Sequence, residues 1–92
     1  MDEVFRDMTA TLSEARHAVE QELAGMARAP DRSRLARLGQ SVGELSFGAD
    51  ALLVRMLERD ADDALVNAAE TLVDFFRDTD EQIAAQLDAG PG

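Results

Sequence analysis

Apolar residues recur at spacings of three and four along almost the whole of this chain, the period of helices that each bury one face. From Gly48 to about Leu87 one stripe runs through Leu53, Leu57, Ala61, Ala64, Leu65, Ala68, Leu72, Phe75, Phe76, Ile83 and Leu87, with no proline or further glycine to interrupt it. Upstream, Val4, Met8, Leu12, Ala15, Val19, Leu23 and Met26 mark one face of a helix over about residues 2–28. Asp2 and Glu3 sit where the helix dipole favours negative charge. Ala29-Pro30 ends that helix, because the residue before a proline is pushed out of the α region. Leu35, Leu38, Val42 and Leu45 predict a second stretch over about 31–45, with Pro30 and Asp31 suited to its first turn. Gly39 and Gly43 weaken it by up to ~1 kcal/mol each relative to alanine. Ser46-Phe47-Gly48 is the expected turn, where Gly48 is free to take a positive φ.

These patterns predict an all-α protein with one domain over residues 1–88, helices at about 2–28, 31–45 and 48–88, and a flexible tail at 89–92. A forty-residue helix spans about 60 Å, roughly twice the diameter of a compact globule of this length. Such a rod needs a partner as long as itself. The first two stretches together match its length, so the expected architecture is an antiparallel helical hairpin with a first arm kinked at Pro30; a small three-helix bundle satisfies the same pattern. A lone hairpin buries one stripe per arm, which leads to the expectation of a helical-bundle dimer, two hairpins making a four-helix bundle. Leu53, Leu57, Leu65, Leu72, Phe75 and Ile83 are the expected association face.

Composition narrows the function classes. The net charge of −10, with nine arginines and no lysine, disfavours nucleic acid and anionic membrane surfaces, which require clustered positive charge. Residues 48–92 hold 11 acidic and 3 basic groups, whereas residues 30–47 hold 2 and 3. No apolar run reaches the ~18–20 residues of a membrane span, and the acidic start MDEVFRD lacks the basic-then-apolar order of a signal peptide. Cysteine is absent, so disulfides and thiolate metal sites cannot supplement the core.

One pair of residues has the spacing of a metal site. Glu14-Ala-Arg-His17 is the Glu-x-x-His pattern by which ferritin-like carboxylate proteins present two ligands. A complete site would need further carboxylates from other helices, where dimerisation could bring in Glu20, Glu44 or Asp50, and His17 is the only histidine, so a solvated His17 is the simpler reading. Four serines and one histidine form no nucleophile-elbow pattern. Asp62-Asp63, or Asp78 with Asp80, sit in a chain too short to enclose a deep pocket. The expectation is a protein without catalytic activity, cofactor or metal. Arg55 and Arg59 stand at salt-bridge spacing from the acidic run Glu58, Asp60, Asp62 and Asp63.

The combination of an acidic, cysteine-free helical hairpin of about this length, a turn reading Ser46-Phe47-Gly48 and the segment Phe76-Arg77-Asp78-Thr79-Asp80 resembles the Trp-x-Gly family of type VII (ESX) secretion substrates. Ser46 stands where that family carries tryptophan, Phe76 where its export motif carries tyrosine, and the interval between turn and motif is shorter. The resemblance implies that the chain pairs with itself or a homologous helical protein, that Phe76 packs while Asp80 is displayed, and that secretion machinery reads the two together. From the residues alone, Phe75 and Phe76 are packing residues and Asp78, Asp80 and Glu81 a solvated face.

Two functional expectations follow. In the first, the chain is a small acidic interaction module that pairs as a dimer and is exported through a type VII system. In the second, it is a cytoplasmic acidic helical adaptor, or an antitoxin-like inhibitor, that covers a basic surface on a target protein.

Overall fold

In the computed structural model, which describes residues 2–89 and of Asp2 only the backbone, the apolar periodicity resolves into three helices: α1 (Asp2–Arg28), α2 (Arg32–Glu58) and α3 (Asp63–Asp88). Each approaches 40 Å at ~1.5 Å per residue, and the bundle measures 48 × 20 × 16 Å. Its radius of gyration, 14.6 Å, exceeds the roughly 12 Å of a compact globule of this length. Pro30 therefore separates two helices that fold back on each other and does not kink one arm. The Glu22 carboxylate accepts a hydrogen bond from Arg34 Nη2 across that turn at 2.6 Å. At the far end of the pair, Phe5 packs against the cluster containing Met56.

The two turns are built differently. Asp31 caps α2 from an extended backbone, its side chain accepting from the Arg34 N–H at 3.2 Å, so Pro30-Asp31 stops one helix and starts the next. Between α2 and α3 the Ala61 N–H bonds back to the Met56 carbonyl at 2.9 Å and the Asp60 N–H to the Leu57 carbonyl at 3.5 Å, with Asp60 at φ 54. That is a Schellman ending in which aspartate occupies the left-handed position usually taken by glycine. Ala61 and Met56, in the same apolar cluster, supply the accompanying hydrophobic contact. Arg32 also donates to the Leu87 carbonyl, tying the start of α2 to the last turn of α3.

The turn therefore lies about 13 residues beyond the expected Ser46-Phe47-Gly48, all of which are helical, and the expected helices at 31–45 and 48–88 are replaced by α2 and α3. The reason is a run of Leu35, Leu38, Val42, Leu45, Ala49, Leu52 and Met56, spaced alternately by three and four and passing straight through Gly48. Ending the helix at Ser46 would forfeit the buried Ala49, Leu52 and Met56, each side chain of the larger two worth ~1.5–3 kcal/mol, against about 1 kcal/mol for a mid-helix glycine. The long rod is divided in consequence, and its expected 60 Å length with it.

The core runs along the bundle axis in two clusters. Val19, Val42, Ala49, Leu72, Val73, Phe76 and Ile83 form the larger one, and Leu52, Met56 and Ala69 continue it toward the α2–α3 turn. The face of α1 is turned from the expected one over its first third. Phe5 and Thr9 point inward, whereas Val4 and Met8 are exposed; Phe5 is the larger apolar group and its burial sets the rotation. Gly39 acquires a packing role, because a Cβ there would stand 2.9 Å from Ile83 Cγ2, whereas one on Gly43 would meet Asp80 Oδ1 at an ordinary 3.7 Å. The absent side chain of Gly39 lets α3 lie close against α2. The tail beyond Ala89 lies outside the described residues.

Candidate functional site

The expected association face is largely spent inside the chain. Leu72 and Ile83 are buried in the core, and Leu53, Leu65 and Phe75 pack against it; only Leu57 stays open, at 59% exposure. Phe75 is also covered on its ring face by the Arg16 guanidinium, 4.5 Å from the centroid, and meets Phe76 edge-on at 5.3 Å. A stripe read as wanting a second chain is satisfied by α1 and α2 of the same chain, so the inference from that stripe to a four-helix bundle falls away.

The expected motif residues are not brought together. Phe47, expected in a turn, is 79% exposed in the middle of α2. Phe76 is fully buried near the centre of the core, and Asp80, four residues on, is half-buried against Gly43. The ring thus packs as expected, but the carboxylate leans into the α2–α3 contact and is not held out from the bundle. Glu14 and His17 lie on the exposed face of α1, as do Glu20, and on α2 Glu44 and Asp50. Among the described residues no group of three His, Asp or Glu side chains converges in a metal-binding arrangement, and no helix is long and apolar enough to cross a membrane. Among the described residues the ion pairs within 4.0 Å are Arg16–Glu20, Arg34–Glu22 and Arg77–Asp50, so Arg55 and Arg59 do not join the acidic run beside them.

The surface that stands out was not singled out by the sequence reading. Phe47, Val54 and Leu57, at 79, 53 and 59% exposure, lie on the outer side of α2, and Phe47, Ala51 and Val54 line a shallow groove with Asp50, Arg55 and Glu58. The spacing Phe47, Ala51, Val54, Glu58 is itself helical, about half a turn around from the core-facing row. This second stripe was legible in principle, but it appears only once the helix is continued through Gly48. Placing a turn there assigned Phe47 to one element and Val54 to another.

The stripe borders α3 on the side away from α1. Arg34 of α2 reaches Glu22 of α1, and Asp50, on the opposite flank of α2, lies 3.9 Å from Arg77 of α3. With the two helices antiparallel, that pair sets Glu70 level with Leu57 and Asp74 level with Val54, both carboxylates exposed. The apolar stripe is thus rimmed by Asp50 and Glu58 on its own helix and by Glu70 and Asp74 on the next. The chain matches no protein-family model, and searches of curated proteins and of solved structures likewise give no match.

Proposed function

We propose that this chain is a small acidic protein–protein interaction module, an adaptor or inhibitor that acts by occupying a surface of another protein and performs no catalysis of its own. The observation that carries the reading is the row Phe47, Val54 and Leu57, left open on a bundle whose other long stripes are packed. A 92-residue chain has little core to spare. Holding three large apolar side chains in water through a continuous helix makes sense when something covers them. The charge of −10 steers a basic partner toward the surface and keeps copies of the chain apart.

The export reading has less support. Its turn residues lie inside α2, and its acidic residue, Asp80, rests on Gly43. Appearance of the chain in culture supernatant, abolished by Asp80→Ala, would favour it over the adaptor. The adaptor is tested by following the tagged chain from its native cells through a sizing column at low and high salt. The expected result is a complex larger than the chain that loosens as salt screens the charges; elution of the chain alone under all conditions would overturn it.

A further inference from the structure

We propose, resting on the interaction-module reading, that the partner is a basic amphipathic helix that lies along the outer seam of α2 and α3, with its apolar face on Phe47, Val54 and Leu57. Two observations converge on that occupant. From Phe47 to Leu57 the row extends ten residues along one helix, about 15 Å or three turns of a partner helix, long enough to receive the i, i+3, i+4 and i+7 anchors of an amphipathic helix. The rim supplies Asp50, Glu58, Glu70 and Asp74 against Arg55 and Arg77, and Arg77 stands within 3.9 Å of Asp50. Open carboxylates on both sides of an apolar row match lysines or arginines that flank the apolar face of an amphipathic helix.

The same rim argues against a second copy as the occupant. On each copy Asp50, Glu58, Glu70 and Asp74 outnumber Arg55 and Arg77, so two chains would meet with negative charge on both sides, and like-charged surfaces facing each other across an interface are unfavourable.

The probe is a synthetic leucine–lysine peptide with all its leucines on one helical face, compared with a scrambled peptide of the same composition, each titrated with the full chain by fluorescence anisotropy. The patterned peptide is expected to bind and the scrambled one to bind weakly. Phe47→Ser, and separately the pair Glu70→Lys with Asp74→Lys, should each weaken binding about tenfold. The control pair Glu3→Lys with Glu14→Lys, exposed on α1, should change it less than about twofold, the size expected of rim charges remote from the contact. All of these positions are exposed, and circular dichroism verifies that each variant remains helical. Equal binding of the two peptides, or an equal loss in the control pair, would overturn the proposal. So would a dimer mass that Phe47→Ser returns to a monomer, which would assign the row to a second copy. Photo-crosslinking in cells separates this failure from failure of the module reading. With a benzophenone side chain at Ala51 in the seam or at Ala18 on α1, both exposed, adducts from Ala51 support the seam. Adducts from Ala18 alone overturn the seam and leave the module, and silence at both overturns the two together.

Discussion

The α2–α3 pair and α1 are built on the same three-four spacing but from different residues. In α2 the inward positions Leu35, Leu38, Val42, Leu45, Ala49, Leu52 and Met56 are all apolar, and in α3 the row Leu65, Ala69, Leu72, Phe76, Thr79, Ile83 and Leu87 has one hydroxyl. The corresponding row in α1 is Phe5, Thr9, Leu12, Arg16, Val19, Leu23 and Met26, with a hydroxyl and a guanidinium among its seven members. The polar members are accommodated individually. Thr9 donates its hydroxyl to the Phe5 carbonyl at 2.7 Å, and Arg16 lays its head over the Phe75 ring within 3.9 Å of Glu20. A helix that brings polar groups to the axis docks less deeply, and among the described side chains of α1 only Thr9, Val19 and Met26 are buried, against six residues of α3. The difference assigns roles: α2 and α3, pressed together at Gly39, are the scaffold, and α1 covers one side of it while the other side remains open.

The comparison can be broken first at the scaffold. Phe76→Ala removes the largest fully buried side chain and should cost about 3–5 kcal/mol in urea denaturation, unfolding all three helices together. In α1, Met26→Ala should cost about 2 kcal/mol, at the low end for buried large-to-small changes. Hydrogen exchange should then show α1 amides losing protection before those of α3; equal loss in all three helices would contradict the shallower docking of α1.

Two glycines of α2 sharpen the same comparison, because identical changes should have opposite signs. Gly39→Ala places its methyl 2.9 Å from Ile83 Cγ2, a stiff β-branched group that cannot swing aside. It should destabilise by about 1 kcal/mol or more despite the better helix former. Gly48→Ala enters open space in the same helix and should stabilise by about 0.5–1 kcal/mol. The smallest expected effect is at Asp60, whose φ of 54 is a glycine conformation. Asp60→Gly should raise the melting temperature slightly, by less than 1 kcal/mol in stability, and a clear loss instead would assign the Asp60 side chain a role of its own.

Helical content, the break at Pro30 and the inward direction of Leu12, Val19, Leu23, Leu72, Phe76 and Ile83 followed from residue spacing and from proline chemistry, both of which act over a few residues. The position of the second turn did not. Glycine at 48 offers a local reason to stop, and Arg59-Asp60-Ala61-Asp62 offers only the N-cap aspartate Asp62, so the turn is decided by which register lets Leu52 and Met56 meet Ala69, a contact across the bundle. The candidate surface depended on the same decision. Phe47 and Val54 become one row only when α2 is continuous, and Glu70 and Asp74 become its rim only when α3 returns alongside. By itself the sequence determined that there are apolar stripes to be covered; only the tertiary structure decided which of them the chain covers itself, because burial is a competition among all the faces at once.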